Sequence, residues 1–378
     1  MRVGSLHRAI SAALVNLTLA ACMPSHQMTH EPAPGRTCPG SDGPAWYFPE
    51  QAADNARLED WCVTVGPPVV EPEPSGSFFV PPAGKPGGDL TVWSWNIAAG
   101  GGDVLRFLAE EALLRCAGPE STLGPEATHF ALLVQEAFRQ SSDVPESVDR
   151  SVVPRAAAEE TRPGGRPDIV EVAEECGLSL VYVAASRNGE QSTDGRREDR
   201  GVAILSTLPL SEPRFIELPY EAARRVAVGA TVGHGSGRAV RLVNVHLTSA
   251  TPPARMLVTG NGSRLRQGLA IADAVLQMEE SDLEGADASG PVPSTVLAGD
   301  FNTWSNSETP LLQLRDMFPD SPPPLDQPTR GAFPTDHILF RQGDGVAAGI
   351  LASSYARTEE RFHSDHHPIG VRLHFHQR

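Results

Sequence analysis

Asp300 and Asn302 stand one residue apart in the stretch V-L-A-G-D-F-N-T-W, Val296–Trp304. The apolar run Val296, Leu297, Ala298 has strand composition and stops at Gly299. Along an extended chain, residues i and i+2 project to the same side. A carboxylate and a carboxamide would therefore emerge together, while Phe301 turns back toward a core. Such a carboxylate can orient or deprotonate a water, and the carboxamide can donate to a phosphate oxygen. Taken alone, the pair reads equally well as an Asx turn closing a buried strand. Other runs of strand composition also end on polar groups: L-T-V-W-S-W at Asn96, F-A-L-L-V-Q at Glu136 and V-N-V at His246. Asp336 opens D-H-I-L-F, and Asp365-His366 precedes the last strand-like run.

The elements that must position these groups follow from the hydrophobic pattern. Leu90–Asn96 alternates as a strand, and Val104–Cys116 carries apolar residues at helical spacing. Phe130–Val134 reads as a buried strand, Asp168–Cys176 as a short helix and Leu178–Ala184 as a strand. Arg187–Arg200 is a polar loop of mixed charge, for which a solvated role is the default. Strands are predicted at Gly201–Leu205, Arg225–Val232 and Ala239–Val245, with Arg224-Arg225 opening the second. Arg264–Gln277 is an amphipathic helix leading to the Val296 strand. The C-terminal histidines, among them His363 and His367, have no cysteine partner nearby and no helical spacing, which argues against zinc.

The chain has 378 residues with 40% hydrophobic content, enough for one large core and extra segments. Its formal charge of −16 argues against a broadly basic protein that coats nucleic acid. A nuclease working through a metal ion and a local basic patch remains compatible with that charge. Lys85 is the only lysine, so nearly all positive charge is arginine.

Residues 1–21 carry Arg2 and Arg8 before an apolar stretch too short to span a bilayer, and read as a secretory signal. Leu19-Ala20-Ala21-Cys22 resembles the lipobox of bacterial lipoproteins. Cleavage before Cys22 would place acyl chains on its thiol and new N-terminus. The chain would then be exported and lipid-anchored to a bacterial envelope, outer membrane favoured, with its domain in the periplasm or at the cell surface. The bland alternative is ordinary secretion with an incidental cysteine. Residues 22–89 are rich in proline, glycine and acidic residues and read as a tether, leaving residues 90–378 as the globular domain. Within the tether, Cys38 and Cys62 bracket Trp46, Tyr47, Phe48 and Trp61. A Cys38–Cys62 disulfide loop and an incidental aromatic cluster are equal readings.

In chain order, W-N, Q-E, N-x-H-L, G-D-F-N, D-H-I and S-D-H-x-P resemble the endonuclease/exonuclease/phosphatase superfamily, also called DNase I-like. R-G-V-A-I-L-S at Arg200–Ser206 looks like its central strand. The resemblance runs from about Leu90 to Phe375. It implies a four-layer α/β sandwich, with two mixed sheets packed face to face, outer helices, and the site at the sheet edges. It also implies roles. Glu136 matches the divalent-metal carboxylate, with Asn96 beside it and Asp365 nearby; Mg²⁺ is the expected ion and Mn²⁺ the alternative. Asp300 matches the residue that activates water, Asn302 the phosphate-oxygen donor, and His366 the phosphate-contacting histidine oriented by Asp336. His246 matches the second histidine of the DNase-like subgroup, and Arg225 (or Arg224) a cation near the scissile phosphate. In such a fold the helices ending at Cys116 and Cys176 can share one sheet face, so a Cys116–Cys176 disulfide is expected.

The implied chemistry is in-line attack of water on a phosphate ester. A monomeric nuclease-type phosphodiesterase is the first reading, with nucleic acid favoured over a lipid headgroup. A sphingomyelinase- or phosphoinositide-type enzyme, or a phosphatase, is the second. A catalytically dead binding module is the third, and the retention of both Asp336 and His366 speaks against it.

Overall fold

The strand Ser294–Asp300 is buried on both faces. Val296 and Ala298 point into a core between two sheets, and Leu297 into a second core beneath helices. That double burial explains why its sequence is a continuous apolar run rather than an alternating one. The computed structural model describes residues 28–29, 45–50, 63–78, 89–146, 167–187, 197–221, 223–233, 239–249, 262–284, 292–343 and 348–375. Cys22, Cys38 and Cys62 lie outside the described residues, as do the leader and the anchor read there.

Among the described residues, two seven-stranded sheets form the frame. From edge to edge, the first runs β1 (Met28–Thr29), β2 (Ala45–Pro49), β10 (Leu210–Glu217), β11 (Val226–Gly233), β12 (Ala239–His246), β13 (Ser294–Asp300) and β14 (Asp336–Arg341). The second runs β15 (Ala348–Arg357), β16 (Ile369–Phe375), β4 (Leu90–Asn96), β7 (His129–Ser141), β9 (Arg197–Ser206), β8 (Ser179–Arg187) and β3 (Val69–Glu71). A small ribbon pairs β5 (Leu114–Arg115) with β6 (Thr122–Leu123). Both sheets are mixed: β12 and β13 are parallel, as are β4 and β7, among antiparallel neighbours.

The layers follow from side-chain direction. Leu133, Val181 and Ile204 of one sheet meet Phe215, Val228, Leu242 and Ile338 of the other. Helices α1 (Val104–Glu110) and α2 (Ile169–Cys176) cover the outer face of the second sheet through Phe107, Ile169 and Val172. Helices α3 (Gly262–Glu284) and α4 (Thr309–Met317) cover the first through Ile271, Val275, Leu311 and Leu314. The result is the expected four-layer α/β sandwich.

Local chemistry sets the helix ends. Asp103 caps α1 by accepting from the Arg106 N–H, and Asp168 caps α2 by accepting from Val170 and Glu171. Gly177 ends α2 at φ 62°, where an added Cβ would sit 2.6 Å from the Gly118 carbonyl. Helix α1 stops short of the predicted Cys116, because the chain takes φ 53° at Leu113 and enters the β5–β6 ribbon. The Cys116–Cys176 disulfide is present and ties that ribbon to the end of α2.

Part of the segment read as a tether belongs to the sheets. In β2, Trp46 and Phe48 point into the inter-sheet core and Tyr47 into the outer one. Trp46 packs 5.0 Å from the Phe215 ring. Burial of each such ring stabilises the fold by about 2 kcal/mol. The alternation is only a few residues long amid prolines, too short to register as a period. Farther on, Val65 is buried, and the Gly66 N–H donates to Asp199 at 2.9 Å. The Arg187–Arg200 segment is likewise partly strand, with Arg187 closing β8 and Arg197 opening β9. Among the described residues, no helix is long and apolar enough to cross a membrane.

Candidate active site

Strand register assembles the site before any side chain is considered. His246 pairs with Asp300, and Asp300 with Asp336, so β12, β13 and β14 present three site residues on one rung. In the other sheet Asn96 pairs with Gln135, the residue before Glu136. At Glu136 the ladder breaks: Gln135 pairs with Val202 and Ala137 with Gly201, leaving Glu136 unpaired at φ 55°. A bulge of this kind re-aims one side chain. Positive φ on a non-glycine residue is strain of the sort that clusters at functional sites. Gly299, at φ 152°, is needed because a Cβ there would lie 1.9 Å from the Val245 carbonyl.

Below this rim the two sheets are pinned together by amides. The Gln135 side chain donates to Asn244 Oδ1 at 2.7 Å, and Asn244 Nδ2 donates to the Val134 and Ala203 carbonyls at 2.8 Å each. These are the Q of Q-E and the N of N-x-H-L, residues the sequence reading quoted without a role.

Asn96 joins the sheets at the site itself. Its Nδ2 donates to Asp300 Oδ2 at 2.9 Å and faces Glu136 Oε1 at 3.4 Å. Its Oδ1 accepts from the Ala98 N–H at 3.0 Å. The amide oxygen is therefore turned away from Glu136, and Asn96 holds the two carboxylates together through its nitrogen.

The two histidines are in opposite electrostatic situations. Burial opposes charge on His366, but Asp336, Asp300 and Asp365 outweigh it and raise its pKa to about 9. Its Nδ1 lies 2.8 Å from Asp336 Oδ2, which Thr335 Oγ1 also contacts at 2.8 Å. Its Nε2 faces Asp300 Oδ2 at 3.8 Å. His246 is pushed well below the usual histidine range by burial and by the cations Arg225, His366, Arg200 and Arg330. Arg225 Nη1 lies 3.3 Å from His246 Nδ1. Arginine only donates, so Nδ1 accepts and the proton sits on Nε2. That N–H faces Asp300 at 3.5 Å and Glu136 at 3.9 Å. At neutral pH the cleft thus holds an imidazolium and a neutral imidazole.

Asp300 is buried, which with repulsion from Asp336 lifts its pKa to about 6 against the pull of His366 and two hydrogen bonds. One of those bonds is the Asn302 backbone N–H to Oδ1 at 2.7 Å. Asn302 takes φ 52°, and its Nδ2 donates to the Leu247 carbonyl at 2.9 Å. The second amide hydrogen has no partner among the described residues.

Three expectations are adjusted by position. Asp365 is exposed and paired with Arg330 at 2.7 Å, so its carboxylate is engaged at the rim; its Oδ1 also faces His366 Nε2 at 3.8 Å. Arg224 is a structural residue: it pairs with buried Glu217 at 2.8 Å and donates to the Ala184 carbonyl at 2.8 Å. Arg225 is the one of the pair that meets the site. Arg187 is also internal, donating to the Thr64 and Pro145 carbonyls. Two further cations stand at the site. Arg200, already quoted within R-G-V-A-I-L-S, reaches Glu136 Oε2 at 3.6 Å. Arg330 sits in a turn with no sequence signal, bridged to His366.

The donor set fits a hard divalent cation at Glu136. Its described neighbours stand 3.4 to 3.9 Å away, longer than the bonds of a satisfied carboxylate, and it is 25% exposed. Mg²⁺ needs few carboxylates and keeps several waters. Asp300, Asp336 and His366 also bring ligand atoms within 4.8 Å of one another.

Acids, histidines and amides thus converge at the joined edges of two sheets, the arrangement that a hydrolase of phosphate esters needs. The chain belongs to the Endonuclease/Exonuclease/phosphatase family, whose profile matches residues 93–366. Enzymes of this family generally depend on a divalent metal. Among solved structures, the human Nocturnin catalytic domain with bound sulfate is similar at 16% identity and TM-score 0.45, covering 76% of this chain and 95% of that one. An endonuclease/exonuclease/phosphatase from Beutenbergia cavernae DSM 12333 is similar at 16% and 0.45, covering 76% and 72%. Sphingomyelinase C from Streptomyces griseocarneus is similar at 16% and 0.40, covering 76% and 99%. No curated protein matches the sequence.

Proposed function

We propose that this chain is a metal-dependent phosphodiesterase of nuclease type. The observation that carries the reading is the convergence of His366 and His246 on buried Asp300, with Glu136 and Asn96 facing them from the other sheet. Asp300, once ionised, accepts the proton of the attacking water, held in place by Asn96 and the Asn302 N–H; as the water oxygen bonds to phosphorus the opposite P–O ester bond breaks, and the leaving oxygen takes a proton from solvent. His366, kept cationic by Asp336, donates from Nε2 to a phosphate oxygen on which charge develops. His246 donates its Nε2 proton as a neutral hydrogen-bond donor. Asn302 has an amide hydrogen for the same phosphate. A Mg²⁺ or Mn²⁺ ion held by Glu136 would supply Lewis-acid stabilisation of the phosphate.

Support for nucleic acid as the substrate comes from Arg200, Arg225 and Arg330 around the site. With a net charge of −16 the protein would contact few phosphates, and binding would depend only weakly on salt. The test is cleavage of plasmid DNA and of sphingomyelin side by side, with Mg²⁺, Mn²⁺ or EDTA. DNA cleavage supports the reading. Phosphocholine release without DNA cleavage would transfer the mechanism to a lipid substrate.

A further inference from the structure

Among the described residues, Trp304 and Phe333 are two of the few large hydrophobic residues left exposed, at 41% and 42%, and they lie against each other. Their ring centroids are 5.5 Å apart with planes tilted by 35°. Trp304 comes two residues after Asn302, and Phe333 three residues before Asp336. Phe333 closes a turn on Arg330, whose backbone bridges to His366. The pair therefore borders the reacting groups on the side of Arg330.

This surface is held in place. The Trp304 N–H donates to Glu308 Oε1 at 2.6 Å, and the same carboxylate pairs with buried Arg264 at 2.5 Å. The neighbouring Thr303 hydroxyl donates to the Pro334 carbonyl at 2.5 Å, linking the two aromatic segments. Phe333 donates its N–H to the Arg330 carbonyl at 2.8 Å and accepts from Thr329 and Arg330.

Resting on the reading of the site as a nucleic-acid phosphodiesterase, we propose that Trp304 and Phe333 form a stacking platform for an unpaired nucleobase next to the scissile phosphate. The substrate would then be single-stranded or locally unpaired. Two physical considerations favour a base over other occupants. The chain is strongly acidic, so phosphate contacts alone give little affinity, whereas a base offers its π-face to aromatics irrespective of charge. A membrane wedge would need apolar neighbours, yet Trp304 is followed by Ser305, Asn306, Ser307 and Glu308. Arg330 is placed to meet the phosphate flanking such a base.

The test measures binding without turnover. A labelled single-stranded oligodeoxyadenylate and the same oligomer carrying abasic sites are titrated in EDTA against wild type, Trp304→Ala, Trp304→Phe and Phe333→Ala. The wild type is expected to bind the base-bearing oligomer about tenfold more tightly than the abasic one, the size of one base–aromatic stack. Both alanine variants should lose that preference, and Trp304→Phe should keep most of it. Equal affinity of wild type for both oligomers, or an undiminished preference in the alanine variants, would overturn the platform. Loss of binding to sphingomyelin–phosphatidylcholine vesicles in those variants, with oligomer binding unchanged, would also overturn it in favour of a membrane contact. Metal-dependent DNA cleavage with no base preference would leave the phosphodiesterase reading standing while removing this one.

Discussion

Asn96 donates to Asp300 across the gap between the two sheets, at 2.9 Å. This hydrogen bond stabilises the ionised form of a carboxylate that burial has lifted to about 6. Asn96→Ala removes it and also the only amide facing both Glu136 and Asp300 among the described residues. A hydrogen bond to a charged group is worth about 1.5–3 kcal/mol. Hydrolysis should fall by roughly tenfold to a hundredfold, and the acid limb of the rate profile should move to higher pH. Steady-state rates across pH test both effects.

The histidines should titrate apart. In metal-free protein, NMR of labelled histidine should show His366 losing its proton near pH 9 and His246 staying neutral well below its usual range. Because the folded pKa of His366 exceeds its ordinary 6.5, its contribution to stability is complete below pH 6.5 and is lost as pH rises through about 9. Asp336→Asn should bring the His366 midpoint back toward 6.5 and abolish that loss. An unchanged midpoint would mean that Asp336 is not its partner.

Adjacent arginines should separate stability from activity. Arg224→Met leaves Glu217 buried without its partner and should cost about 3–5 kcal/mol in urea unfolding. Arg225→Met faces His246 instead and should reduce hydrolysis more than stability. The reverse pattern would exchange the two roles.

The disulfide closes a sequence separation of 60 residues. Replacing both Cys116 and Cys176 by serine should lower stability by about 2–4 kcal/mol, with activity retained at low temperature. Equilibrium unfolding with and without reductant measures it.

What the sequence made legible was the polar end of each apolar run. Asn96, Glu136, His246, Asp300 and Asp336 announce themselves because acids, amides and histidines seldom stand at the end or start of apolar runs by accident five times in order. Orientation was not legible. Whether Asn96 presents its oxygen or its nitrogen depends on the Ala98 N–H, a contact set by the loop rather than by the motif. The bulge that turns Glu136 outward has no glycine to signal it. Arg224 and Arg225 are indistinguishable in sequence, and only strand direction sends one to Glu217 and the other to His246. Strand β2 was hidden because its support comes from Phe215, far along the chain. Strand β10 also went unread, since Pro213 interrupts its pattern, and so did helix α4, which is only nine residues long.

The central claim is that Glu136 holds a divalent cation that hydrolysis requires. Phosphodiester hydrolysis by wild type and Glu136→Gln should be measured in EDTA and across a Mg²⁺ titration, with unfolding curves for both proteins. The account predicts no turnover in EDTA, recovery with Mg²⁺ in the wild type, and a rate lower by orders of magnitude in the variant at unchanged stability. Full activity in EDTA, or a near-normal rate for the variant at ordinary Mg²⁺ concentrations, would contradict it.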